Sequence, residues 1–155
     1  MTADKKRPAT PAVTRARIVA AAREWIGTPY HHQASLKGVG TDCLGLLRGL
    51  WVEIHGTEAE RPPAYSPDWA EATGSEELIL GAARHLLPVT TGHGRPGDII
   101  VFRMKPSAPA KHVGLLAGEA TFIHAMEGVS VSQVHLNTWW RRRIAATFRF
   151  PGVLD

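Results

Sequence analysis

Cysteine is all but missing from this chain: among 155 residues there is one, Cys43. A single thiol excludes a disulfide within the chain, and it excludes a zinc site built from two or more of the chain's own thiolates. What remains is either a small buried hydrophobe or a reactive thiol, and its neighbours have to separate the two. Long apolar runs are missing too. No stretch could span a membrane, and Met1–Val13 is polar, rich in Ala, Pro and Thr, with no apolar core of a secretory signal. The expectation is synthesis in the cytoplasm without export by the usual signal route. There is no internal repeat, no low-complexity tract beyond that N-terminal stretch, and no His-x-x-x-His or His-x-x-Glu-His pattern of a zinc hydrolase.

What is present suits one ordinary globular domain. Hydrophobic residues make up 44% and charged residues 21%, close to the soluble norm. A chain of this length buries roughly 68–70% of its unfolded surface, enough for a core and a preorganised site. The formal charge is +4, partly from Lys5, Lys6 and Arg7 and from Arg141, Arg142 and Arg143. A diffuse positive field suits an anionic polymer, nucleic acid or cell wall, and it is equally what solvated surface charges produce.

Helical signals come first along the chain. Thr14 reads as an N-cap, and Ile18, Val19, Ala22, Trp25 and Ile26 fall on one face of a helix that Gly27 and Pro29 end. A turn-rich loop, residues 28–41, carries Tyr30, His31 and His32. A second helix starts at Asp42–Cys43, presents Leu44, Leu47, Leu50, Trp51 and Ile54, and closes at Gly56. Residues 57–74 read as loop. Ser75 opens a third helix with Leu78, Ile79, Ala82, Leu86 and Leu87 inside, and Pro88 terminates it. After residue 90 the period changes to strands over 98–104, 112–117, 121–126, 129–134 and 145–150, separated by short Gly or Pro turns. Helices followed by an antiparallel meander predict an α+β fold.

The position of Cys43 raises its interest. The first turn of a helix carries unpaired N–H groups and partial positive charge, which favour a thiolate and offer donors to an oxyanion. A base is still needed. His112 opens an apolar strand and His124 lies on the next one, 12 positions later, a separation that a hairpin brings side by side. Cys43, His112 and His124 thus form a candidate triad, with His124 orienting His112. For either histidine alone, an exposed polar residue at a strand end is the simpler reading.

Five motifs now stand in register: Trp25-Ile-Gly-Thr-Pro-Tyr30, Asp42-Cys-Leu-Gly45, Pro96-Gly-Asp98, His112-Val-Gly-Leu115 and Phe122-Ile-His-Ala125. In order and spacing they resemble the NlpC/P60 cysteine peptidases over about residues 15–150. The resemblance implies a papain-like α+β fold, with N-terminal helices packed on a C-terminal antiparallel sheet. It divides the chain into a flexible tail over 1–13 and a peptidase domain over 14–155, enlarged at 57–92. It implies hydrolysis of peptidoglycan stem peptides at the D-γ-glutamyl–meso-diaminopimelate bond, without metal or cofactor. Cys43 would be the nucleophile, His112 the base and His124 the third polar residue. Tyr30 would help hold the oxyanion, and Asp42 would cap the helix or order the nearby loop. Trp139 and Trp140 match a family Trp-Arg segment, read as packing beside exposed arginines.

One departure concerns the substrate side: Leu44 stands where family members carry a serine thought to contact substrate. The Asp-Cys-Leu-Gly variant further resembles cell-wall peptidases of phage and gene-transfer-agent tails. That resemblance implies a virion or tail-tip location, action in the periplasm of a target cell, and peptidoglycan and tail hub or baseplate proteins as partners. It implies no nucleic acid and no membrane insertion. Three rivals stay open: an inactive tail-tip assembly protein, an acyltransferase or amidase using the same triad, and a zinc hydrolase on His31, His32, His112 and His124.

Overall fold

The computed structural model describes residues 10–60 and 76–155. Helix α1 (Arg15–Arg23) begins where the Thr14 hydroxyl accepts from the Arg17 N–H at 3.2 Å. It ends before Gly27, because residues 24–28 tighten into successive three-residue turns. The helical period stops with it: Trp25 is buried and Ile26, expected inside, is exposed. A small hairpin, β1 (Ser35–Leu36) and β2 (Gly40–Thr41), leads into α2 (Cys43–His55), capped by Asp42 and closed by Gly56 in the left-handed conformation. Leu46 and Leu50 are its fully buried side chains. Leu44, Leu47, Trp51 and Ile54 pack partly buried around the same core.

Helix α3 (Glu77–His85) follows, and its expected cap Ser75 lies outside the described residues. Pro88 does more than stop this helix. Leu87–Val89 form an edge strand, β3, with Leu87 exposed rather than inside. A proline is tolerated there because an edge strand has one side free of ladder bonds. The remaining strands are β4 (Ile99–Phe102), β5 (His112–Leu116), β6 (Thr121–Met126), β7 (Val129–His135) and β8 (Ile144–Arg149). They form one antiparallel sheet in the order β3-β8-β4-β5-β6-β7. The meander therefore holds from β4 to β7. The short helix α4 (Thr138–Arg141) then turns the chain back, so that β8 inserts between β3 and β4.

Alternation along the strands divides the core. Ile99, Val101, Val113, Leu115, Ile123 and Ala125 face α1 and α2. Ile100, Phe102, Leu116 and Phe122 face the opposite side, where Leu136 and Trp140 cover them. Asp98 explains the Pro-Gly-Asp motif. Fully buried just before β4, it bonds Arg15 at 2.9 Å and Arg149 at 3.0 and 3.1 Å, and accepts from the Arg95 N–H at 2.9 Å. One carboxylate thereby ties the start of α1, the turn before β4 and the end of β8. Val13 is buried, its N–H bonded to the Gly152 carbonyl at 2.9 Å. No helix among the described residues is long and apolar enough to cross a membrane.

Candidate active site

Asp42 places the thiol. Its carboxylate accepts from the Gly45 N–H at 2.7 Å, which starts α2, and from the Gln33 N–H at 2.8 Å. Gln33 is held in the left-handed region, φ 64°, a conformation a non-glycine residue keeps only under such restraint. Asp42 therefore both caps the helix and orders the loop, the two supporting roles expected of it. Gly45 completes the junction: a Cβ there would lie 1.9 Å from the Ala34 carbonyl oxygen. Only glycine lets the loop sit on the first turn of α2.

Cys43 is the first residue of α2 and is partly buried, with the Lys111 carbonyl 3.7 Å from its Sγ. Lys111 immediately precedes His112, so the helix N-terminus and the start of β5 meet at the thiol. Beneath it, a small apolar crevice is lined by Leu46, Leu47, Leu50, Val113 and Leu115, among others. Leu44 is partly buried against the core. Tyr30 joins the same cluster, fixed by a bridge to Thr41. Its hydroxyl is pushed up to about 12 by burial, and further by Cys43, Asp42 and Glu127. It is a protonated donor at every physiological pH. Glu127, in the turn after β6, has no signal in the sequence that would have marked it.

The two histidines do meet. His112 Nε2 and His124 Nδ1 are 2.8 Å apart, both rings buried. Antiparallel pairing of β5 with β6 puts them on one face. Phe102, Phe122 and Trp140 enclose them, Trp140 standing edge-on to His124 at 5.3 Å and tilted against His112 at 5.6 Å. The Trp139–Trp140 pair is split. Trp140 packs on the imidazoles, whereas Trp139 is 47% exposed with Arg143 stacked 3.6 Å over its ring. The sequence pattern cannot separate two adjacent tryptophans, since one short helix decides which turns inward.

Burial keeps both imidazoles neutral. It lowers His112, with His124 beside it as the second cause, and it lowers His124 in the same way. The thiol departs from the sequence expectation. Burial, and next the Asp42 carboxylate, push Cys43 up to about 12, against backbone N–H bonds of Val113, Leu44 and Cys43 that act the other way. The helix-terminus effect is real but smaller than burial plus an adjacent negative charge. Burial thus favours the neutral form of the thiol and of both imidazoles. Alkylation of Cys43 by iodoacetamide is expected to be slow at neutral pH and to keep accelerating with pH up to pH 10. A plateau at or below neutral pH would instead reveal a preformed thiolate–imidazolium pair.

His31 and His32 lie on the loop beside Asp42, with His32 Nδ1 3.9 Å from its carboxylate. Among the described residues no group of three His, Cys, Asp or Glu side chains could hold a metal ion. The four histidines of the zinc reading do not form one ligand set.

A helix that begins on a cysteine, laid on an antiparallel sheet that carries a paired histidine, is the papain-like α+β class of architecture. Within that class the chain belongs to the NlpC/P60 family, whose model matches residues 27–148. It is 27% identical over 146 residues to a gamma-DL-glutamyl hydrolase of Bacillus subtilis, covering 94% of this chain and 32% of that protein. It is 25% identical over 131 residues to the murein DD-endopeptidase/LD-carboxypeptidase MepS of Escherichia coli, covering 83% and 59%. The chain therefore spans only 32% and 59% of the length of these relatives. In fold it is similar to the NlpC/P60 domain of the peptidoglycan hydrolase SagA, with a TM-score of 0.66, 21% identity, and 89% of this chain and 100% of that one covered.

Proposed function

We propose that this chain is a cysteine endopeptidase acting on peptidoglycan stem peptides, with Cys43 as nucleophile, His112 as base and His124 as the residue that orients it. The observation that carries the reading is the 2.8 Å bond from His112 Nε2 to His124 Nδ1. It commits one ring nitrogen of His112 and leaves Nδ1 for the thiol proton. For His112 to act as base, the shared proton must sit on its Nε2. Sγ then exchanges the Lys111 carbonyl for Nδ1 and attacks the amide carbonyl as its proton passes to His112. The Tyr30 hydroxyl and first-turn amides of α2 stabilise the oxyanion. His112 protonates the leaving amine, giving a thioester. Water, deprotonated by the same histidine, then releases the acid and regenerates the thiol.

The bond assigned is D-γ-glutamyl–meso-diaminopimelate. The name of the Bacillus subtilis relative, a gamma-DL-glutamyl hydrolase, supports a γ-glutamyl carbonyl as the acyl side. Leu44 stands in place of the family serine next to the nucleophile, so specificity at the subsite that serine serves is expected to differ. We place the enzyme in a phage-like tail, on the resemblance of the Asp42-Cys43-Leu44-Gly45 segment, with hub or baseplate proteins as neighbours. Purified particles that lack this polypeptide by mass spectrometry would overturn the placement.

Digestion of diaminopimelate-type peptidoglycan tests the chemistry. New termini at the γ-glutamyl–diaminopimelate bond are expected with the wild type and none with Cys43→Ser. Transfer to an added amine in place of hydrolysis would make the chain an acyltransferase. One observation favours a second reading, a weak or inactive assembly protein: the thiol lies 3.7 Å from the Lys111 carbonyl, and burial raises its pKa. No cleavage, together with no labelling of Cys43 at any pH, would select that reading.

A further inference from the structure

The loop over residues 103–111 joins β4 to the strand that begins with His112, and its carbonyl at Lys111 holds the thiol. Both of its ends are fastened by one ion pair. Glu76, immediately before α3, bonds the Arg103 guanidinium through one carboxylate oxygen and accepts from the Ala110 N–H at 3.1 Å through the other. Arg103 donates in turn to the Ala108 carbonyl at 2.8 Å. Ala110 is fully buried, so its amide has little access to water and depends on that carboxylate. Glu76 is 27 positions from Arg103 and 34 from Ala110 along the chain. The brace is not local to the loop; it comes from the residue that precedes α3.

We propose that Glu76 and Arg103 are positioning residues for the hydrolytic site, a brace through which the start of α3 sets where Lys111 and His112 stand relative to Cys43. The proposal rests on the assignment of His112 as base. Its physical content is geometric. Ala110 is two residues from His112, and a strand moved at its first residue carries the imidazole and the thiol's carbonyl partner together. Displacements of about 1 Å at a reacting group cost on the order of 100-fold in rate.

The test uses Glu76→Ala, Glu76→Gln and Arg84→Ala in the full chain. Arg84→Ala removes an exposed ion pair between α3 and Glu60, 24 positions earlier in the chain, and serves as the control. Glu76→Ala is expected to lower kcat by about 10–100-fold with KM essentially unchanged. It should also shift the imidazole NMR signals of His112 and His124 at a temperature where circular dichroism shows the protein folded. Glu76→Gln keeps an acceptor for the Ala110 N–H and is expected to retain most of the activity, while Arg84→Ala leaves both readouts alone. Unmoved imidazole signals in Glu76→Ala, or a kcat equal to wild type, would overturn the brace. Should the wild type cut no peptidoglycan, the imidazole signals and Cys43 alkylation still decide the positioning claim, and the failure then belongs to the proposed activity.

Discussion

His112→Ala is expected to lower turnover of stem peptide by about 10²–10⁴-fold, the range that a positioned general acid–base supplies. Both half-reactions depend on this ring: it takes the thiol proton on attack and gives it to the leaving amine, then takes a proton from water and returns it to the thiol. With the thiol pushed up to about 12, there is no standing thiolate to fall back on, which puts the expectation at the upper end of that range. His124 separates orientation from base strength. His124→Leu leaves the buried Nε2–H of His112 without its acceptor, so the ring loses its reason to keep the Nδ1 lone pair free. The loss is expected to approach that of His112→Ala. His124→Gln keeps an oxygen acceptor and is expected to retain far more. Steady-state kinetics on a defined muropeptide check the order. Equal losses in His124→Leu and His124→Gln would mean that His124 does more than fix a tautomer.

Asp98→Ala is expected to cost about 3–5 kcal/mol, the effect of removing one partner from a buried ion pair. Here the carboxylate is fully buried and serves Arg15, Arg149 and the Arg95 amide at once. Its removal leaves the buried Arg15 guanidinium with only the Pro96 and Asp155 carbonyl oxygens and unties α1 from β4 and β8. For a chain of this length the melting temperature should fall by roughly 6–20 °C. Thermal unfolding followed by circular dichroism measures it, and a fall of less than 2 °C would mean that water replaces the carboxylate, about the shift that 0.5–1 kcal/mol produces. The residual enzyme should keep its pH profile, since the cluster sits at the α1 start and the β4–β8 junction, apart from the imidazole pair.

Much of the site was legible because the chemistry leaves residue types at fixed stations. A helix that must begin at Cys43 needs a cap one residue earlier, and Asp42 is there. A histidine that must be oriented needs a partner one hairpin away, and His124 is there. The strands from β4 to β7 were legible because their alternation and turns are local. The edge strand β3 was not, because a three-residue strand containing Pro88 has no periodicity of its own and exists only by pairing with β8. The extent of α1 was overread at Ile26 for a related reason: helical spacing persists on paper after the backbone has turned.

Other features depend on distances that no local pattern encodes. Trp140 over the imidazoles, Glu127 near Tyr30, and Glu76 on the Ala110 amide all join segments far apart in the chain. The thiol shows the difference most clearly. Sequence placed it at a helix N-terminus and predicted a lowered pKa; the fold partly buried it beside a carboxylate, and the loss of solvation outweighed the helix.

The sequence by itself determined the family, the α+β order of elements, and the candidate trio of Cys43, His112 and His124, because these follow from residue types at short or fixed spacings. Tertiary structure alone decided the sheet order, the burial of the two imidazoles, and the reach of Glu76 to the loop before His112. Each of those depends on which surfaces exclude water and which distant side chains fill the space left, and both are properties of the packed molecule rather than of any stretch of its chain.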